Sequence, residues 1–378
     1  MRRSIALALV AVLLGGCSLF RSDPRPKMAA VPQIKSTVSL RTLWNVDLPP
    51  AGESVLTPAV AGEGVFAAGR DGTVVRIDAA SGRVLWKVST GAVLTGGVAA
   101  GEDLVVVGSN EGEVIALEAS SGMPRWRARV SSEVLAAPSV AGDSVVVRCS
   151  DSRVFALDVR DGRRRWVYQR AMPTLTVRSP AGAVVRGGTV YAGFAGGRLV
   201  AIALNNGGAR WEAAVALPRG STELERVADV VGLPWVSDRE ACAVAYQGRV
   251  ACFDANTGQP IWSRDMSSVS GLGVDSRYLF VSDDRGAVHA LDRSNGTSFW
   301  KQDRLSLREL TAPLPLGAQV AVGDVEGYIH LLSRETGDFV GRIATDGTRI
   351  AGPLVPMGAA FLVQSRRGNL YAFSSQNP

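Results

Sequence analysis

One spacing governs this chain. A Gly, a second Gly ten residues later and a Trp four residues after that recur in strict register: Gly72, Gly82 and Trp86; Gly112, Gly122 and Trp126; Gly197, Gly207 and Trp211; Gly248, Gly258 and Trp262; Gly286, Gly296 and Trp300. A copy at Ser152, Gly162 and Trp166 keeps the spacing with Ser in first place, a copy at Gly327 and Gly337 has Gly341 where Trp is expected, and an eighth begins at Gly368 and reaches Pro378 before its Trp position. Near the start, Leu43-Trp44-Asn45-Val46 reads as the tail of a repeat without its beginning. A period of roughly forty residues means a repeat architecture in which each unit buries itself against its neighbours.

Each copy reads as strand, tight turn, strand. Positions two and five residues after the first Gly are apolar throughout, as in Val114 and Leu117 or Ile329 and Leu332. Both faces of that strand are therefore apolar, which means burial on both sides. Small residues between them (Ala116, Ala156, Ala201, Ala290) let neighbouring sheets approach closely. Another short strand precedes each copy, such as Leu104-Val105-Val106-Val107, and a fourth, weaker one completes a propeller blade. The Ser-Gly or Thr-Gly turn supplies the positive φ of a hairpin. The Trp that follows brings a large apolar body to the blade's outer edge, with an indole N–H that needs one acceptor. The expected fold is all-β: an eight-bladed β-propeller with four-stranded blades over residues 41–378, its ring closed by the N-terminal strand around Trp44 joining the last blade beside residues 366–375. Closure leaves only short, protected sheet edges.

Composition narrows the function classes. With 46% hydrophobic and 20% charged residues the chain is neither disordered nor an extended coiled coil. It has two histidines, His289 and His330, each three residues after a repeat Gly. Matching strand positions and no third recurring ligand favour packing or hydrogen bonding over metal. Residues 1–16 read as a signal peptide: a basic Met1-Arg2-Arg3, then an apolar run from Ile5 to Leu14, about half the ~20 residues a membrane span needs. Leu14-Gly15-Gly16-Cys17 resembles the bacterial lipobox, which implies lipidation at Cys17 and, with two or more acyl chains, stable anchoring. Ser18 is not the Asp that holds many such lipoproteins in the inner membrane, so the same resemblance implies the outer membrane, facing the periplasm. Residues 17–40, with Pro24, Pro26 and Pro32, are expected as a lipidated N-terminus and flexible tether. Loss of Arg2 and Arg3 takes the balance from +6 to +4, too small and scattered for nucleic acid. Cys242 and Cys252 flank the Gln247-Gly248 hairpin and could face each other. The periplasm permits a disulfide, yet direct cross-strand pairs are often strained, so the spacing leaves the pairing open. Cys149 is then a free thiol at a strand end, and Trp235, outside the repeat register, is expected to pin the loop before it to the ring.

The motif Asp-x-x-[Ser/Thr]-Gly-x-x-x-Trp, at Asp78–Trp86 and Asp254–Trp262 and, with Asn295 in the Ser/Thr place, at Asp292–Trp300, resembles the tryptophan-docking repeat of quinoprotein-type eight-bladed propellers across residues 41–378. Quinone-dependent dehydrogenases of this type hold their cofactor with adjacent disulfide-bonded cysteines and a calcium site of carboxylates. This chain has no adjacent Cys pair, and its acids lie one per repeat at turns. It is more similar to the BamB family, lipoprotein subunits of the machine that assembles outer-membrane β-barrels. The lipobox, the tether, the 362 residues left after removal of the first 16, and two local stretches carry that resemblance. The stretches are Pro173-Thr-Leu175-Thr-Val177-Arg178 and Ser221–Val231. The resemblance implies a scaffold that is not an enzyme and takes no cofactor or metal, binding the periplasmic domains of BamA through Leu175, Val177, Arg178 and Asp229 and assisting insertion of β-barrel proteins. Val177 stands for a Leu and Val231 for a second acid. The same resemblance raises unfolded barrel substrates as a further partner, added along exposed strand edges; the sequence does not decide this, since it shows no charged groove or aromatic ladder for such a track. The alternative from another class is a small quinoprotein-like enzyme or ligand-binding periplasmic propeller with its site in the central channel.

Spacing adds independent support for that face. Successive repeat starts differ by 40, 40, 45, 51, 38, 41 and 41 residues. The two long intervals place extra residues around 169–182 and 215–234, in connections between adjacent blades that should lie side by side on one face, where binding usually resides.

Overall fold

The computed structural model describes residues 27–350 and 352–376. The expected signal peptide and Cys17 lie outside the described residues. Among the described residues the chain forms eight four-stranded sheets and no helix. Seven sheets are antiparallel meanders in chain order, from blade 1 (Ala59–Ser89) through blade 2 (Ala99–Arg129), blade 3 (Ser139–Gln169), blade 4 (Ala183–Ala214), blade 5 (Val230–Asp265) and blade 6 (Leu272–Gln302) to blade 7 (Leu314–Ala344). Blade 8 takes three strands from Val355–Gln376 and its outermost from Ser39–Val46. In that last pairing Trp44 lies opposite Ala372 and Val46 opposite Leu370, so the expected ring closure is borne out.

The second and third strands of each blade are buried because the blades stack face to face. Val106 and Ala116 of blade 2 pack with Val145, Val147 and Phe155 of blade 3, and Leu362 and Ala372 of blade 8 pack with Val65, Val75 and Ile77 of blade 1. Neither face of such a sheet could meet water without exposing a row of branched side chains. Each blade is therefore stable only between two neighbours.

The repeat residues hold those neighbours in register. The indole N–H of each Trp donates to a carbonyl in the next blade's turn: Trp44 to Ala79, Trp86 to Ala119, Trp126 to Val159, Trp166 to Leu204, Trp211 to Ala255, Trp262 to Arg293 and Trp300 to Arg334, all at 2.7–3.0 Å. The same turn presents its Gly to the same indole. At Gly162, Gly207 and Gly296 φ is 73–75°, and an added Cβ would come within 2.5–2.8 Å of the preceding blade's Trp ring. Two constraints therefore demand glycine at one position, the left-handed turn and the close approach.

Gly341 breaks the pattern for a reason that the ring closure supplies. Blade 8 has no hairpin turn between its last two strands, since the outermost comes from the other end of the chain. A Trp at 341 would find no turn to dock on. The N-terminal chain fills the place instead: Thr37 and Val38 N–H both donate to Val340 O, and a Cβ on Gly341 would meet Val38 O at 2.6 Å. The stretch expected as a flexible tether over residues 17–40 is thus, from Ala29 on, held against the ring. Ala29 N–H donates to Ser306 O at 2.9 Å, Arg308 Nη1 to Ala29 O at 2.9 Å and Arg342 Nη1 to Pro32 O at 2.8 Å.

His289 and His330 occupy matching sites on blades 6 and 7, opposite Val281 and Val322. Each Nε2 lies 2.9 Å from the carboxylate of an Asp on its own blade, Asp283 or Asp324. Those carboxylates also accept turn N–H groups, from Ala287 and from Tyr328. Asp324, fully buried, further receives Arg308 Nε at 2.7 Å, and Arg308 reaches Glu326 as well. Burial pushes His330 below its ordinary value of 6.5, against the pull of Asp324. Burial would raise Asp324, yet its bond from His330 and the charges beside it hold it below 3.8.

Two predictions follow from this architecture. Trp166→Phe, which loses the bond to Leu204 O, should cost about 1–2 kcal/mol, and Trp166→Ala about 3–5, read from urea-unfolding midpoints. For pH, the unfolded chain binds a proton below 6.5 that buried His330 refuses, so stability should fall as pH drops through 6.5, with a second loss below 3.8 from Asp324. The urea midpoint should therefore fall less between pH 7.5 and 5 for His330→Gln than for the natural sequence.

Candidate partner-docking face

Connections from the outermost strand of one blade to the innermost of the next all emerge on one face of the ring. The two longest, residues 170–182 and 215–229, join blades 3 to 4 and 4 to 5 and so stand side by side. The second ends at 229: residues 230–236 form the first strand of blade 5, with a bulge between Val231 and Trp235. Trp235, half-buried, lies opposite Cys242 in that strand, under the Arg293 guanidinium 5.5 Å away. It anchors the strand where the loop enters the ring.

Within 215–229 the chain makes a single turn capped from its own sequence. Glu225 Oε2 accepts Ser221 and Thr222 N–H at 2.8 and 3.1 Å, and Thr222 Oγ1 accepts Glu225 N–H at 3.3 Å. This is the reciprocal Thr-x-x-Glu arrangement of a helix start, and it presents Leu224 outward, 71% exposed. Leu217 on the same connection and Met172 on its neighbour are also exposed. None of these three side chains is among the four residues singled out from sequence, although apolar residues in a surface insertion are a visible signal.

The four residues singled out from sequence fall in two groups. Leu175 and Arg178 are exposed on the 170–182 connection, with Val177 half-buried between them. Arg178 Nη2 meets Glu133 of the preceding connection at 2.6 Å. Asp229, by contrast, is 4% exposed. Its carboxylate points into the protein, accepting Val177 N–H at 2.6 Å and Gly196 N–H at 3.0 Å. The structure therefore brings all four residues together but places Asp229 beneath the others. Val231, 1% exposed, packs with Cys242, Val244 and Cys252. A carboxylate there would be buried among apolar groups.

Toward the ring axis lies a cavity of about 350 Å³. Arg178, Arg349 and Arg366 stand around it, each matched by a carboxylate, Glu133, Glu309 and Glu53. Among the described residues no cluster of three or more His, Cys, Asp or Glu has a metal-holding arrangement. Cys242 and Cys252 are disulfide-bonded directly across their hairpin. Burial pushes the free Cys149 thiol up to about 11, which leaves it protonated and inert.

The family described as outer membrane protein assembly factor BamB matches residues 38–92 and 70–302. Over 374 residues the chain is 46% identical to the outer membrane protein assembly factor BamB of Pseudomonas aeruginosa, covering 98% of each. It is 42% identical over 368 residues to that of Bordetella pertussis, covering 97% of this chain and 95% of the relative. BamB from Moraxella catarrhalis superimposes with a TM-score of 0.83 at 30% identity, over 89% of this chain and 100% of that one. The quinohemoprotein alcohol dehydrogenase of Comamonas testosteroni superimposes with a TM-score of 0.71 at 14% identity, over 88% of this chain and 76% of that one, a likeness of fold alone. By near-full-length identity, by the matched family and by the eight-bladed ring, the chain belongs to the BamB family of outer membrane protein assembly factors.

Proposed function

We propose that this chain is a non-enzymatic scaffold subunit of the β-barrel assembly (BAM) complex, anchored through a lipid on Cys17 to the outer membrane and facing the periplasm. It binds the periplasmic domains of BamA through the face built by residues 170–182 and 215–229 and so assists insertion of β-barrel proteins. One observation carries the reading: the two longest connections of the ring meet, and the first exposes Leu175 and Arg178 on a base tied to the second. An apolar anchor beside an Arg is the usual centre of a protein interface. Leu175 and Val177 supply the apolar contact, and Arg178, more than half exposed while it pairs with Glu133, offers its remaining donors to a partner carboxylate.

The test is recovery of BamA with the tagged protein from detergent-solubilised membranes. Arg178→Glu and Leu175→Ala should each reduce recovery by about 10-fold or more. Because the Arg178–Glu133 pair is exposed, Arg178→Ala should change stability by less than about 1 kcal/mol, so lost recovery reports docking and not unfolding. Undiminished recovery in folded variants rejects these residues.

One observation favours a second reading, a ligand-binding or quinoprotein-like propeller: the axial cavity, which Ser179 helps to line with its hydroxyl buried and unpartnered. Its three arginines are already matched by carboxylates, which argues against an anionic cofactor there. Cofactor absorbance in protein purified from its native host, or calcium-dependent quinone binding, would reverse that preference.

A further inference from the structure

The docking loop is gripped from beneath by two charged side chains, one on blade 3 and one at the end of the connection into blade 5. Asp229 takes Val177 N–H on Oδ2 and Gly196 N–H on Oδ1, while its own carbonyl accepts Tyr246 N–H at 2.8 Å. Arg148, at the end of the second strand of blade 3, takes the complementary groups. Its Nε donates to Gly193 O and its Nη1 to Ala181 O, both at 2.9 Å, with the guanidinium 5.6 Å above the Phe194 ring. The segment Val177–Ala181 is thus held at one end through an N–H by a carboxylate and at the other through a C=O by a guanidinium. The turn that follows the second strand of blade 4 is held the same way, at Gly196 and Gly193. Asp229 and Arg148 line one cavity of about 220 Å³ directly under this loop.

Elsewhere on this face the connection between blades 6 and 7 is held by the buried Arg308–Asp324 pair, and other ties are made by hydroxyls. Thr95 Oγ1 donates to Val134 O, Ser268 Oγ to Ser282 O and Ser282 Oγ to Thr311 O. Charge-assisted bonds are about twice as strong as such neutral ones, and under the two longest connections both a carboxylate and a guanidinium are spent on backbone groups, four bonds in all. Both oxygens of Asp229 are engaged inward and the residue is nearly closed to solvent, so it has nothing to offer a partner directly.

We propose that Asp229 and Arg148 are positioning residues, which fix the 173–181 loop in its docking shape before the partner arrives, and that Asp229 does not itself touch the partner. The inference rests on the docking reading above. Ordering the loop in the free protein removes that entropy cost from the binding step.

The test pairs amide hydrogen exchange in the free mature protein with affinity for purified BamA periplasmic domains. Asp229→Asn keeps the size but leaves one acceptor facing two N–H donors, and Arg148→Lys removes the two-pronged grip; each serves where the other fails to fold. In a folded variant, exchange at Val177 and Gly196 should quicken by about 10-fold or more and affinity should fall by at least a similar factor. Arg178→Glu should weaken binding with exchange unchanged. If Asp229→Asn weakens binding with exchange unchanged, Asp229 touches the partner and the inference is overturned. Faster exchange with unchanged affinity, while Arg178→Glu still weakens binding, overturns it as well. If Arg178→Glu and Leu175→Ala both leave affinity intact, the docking reading itself fails, and the exchange result still decides whether the two charges hold the loop.

Discussion

The indole of each Trp set on the next blade's turn is the contact on which the ring depends. A blade by itself has two apolar faces and cannot exist alone in water. What turns a row of such sheets into one molecule is a repeated lock with two parts: a hydrogen bond from the indole N–H to a turn carbonyl, and a glycine that leaves room for the ring. The lock joins only nearest neighbours, so a linear array would end in an exposed apolar face. Closing the ring with Ser39–Val46 removes that end. Where the closure eliminates a turn, the Trp is absent too and the chain ahead of the closing strand lies over Gly341.

A scaffold held this uniformly leaves its variation to the connections. Those between blades 3, 4 and 5 have lengthened, and their surface exposes Met172, Leu175, Leu217 and Leu224. A longer loop has more freedom to lose on binding. The buried Asp229 carboxylate and the half-buried Arg148 guanidinium beneath it answer that cost within the folded protein.

Much of the fold was legible because its signals are local. Strand, turn and strand lie within fifteen residues of each other, and the Trp and Gly positions repeat often enough that even the Gly341 exception is visible. The equivalence of His289 and His330 followed from the same register, although their Asp partners did not, since Asp283 and Asp324 lie on the far side of a turn from them. Cys242 and Cys252 could be placed on facing strands but not paired, because a one-residue slip would turn one of them to the opposite face. The register sets them directly opposite, with Cα atoms 4.1 Å apart. Residues 29–38 read as tether because proline-rich composition says nothing of distant acceptors and donors. Arg308 and Ala29, which hold them down, are 279 positions apart.

By itself the sequence determined the number of blades, the turn and Trp positions, the closing strand and the two connections that differ from the rest. Each is a matter of period or of length, which composition along the chain records directly. Only the tertiary structure decided which way the side chains of those connections point. Leu175, Arg178 and Asp229 look alike as candidates in a loop motif, yet two face solvent and the third turns inward to the backbone of a neighbouring connection 52 positions away. That distinction rests on burial and on hydrogen-bond partners brought together across blades, and no local pattern in the chain contains it.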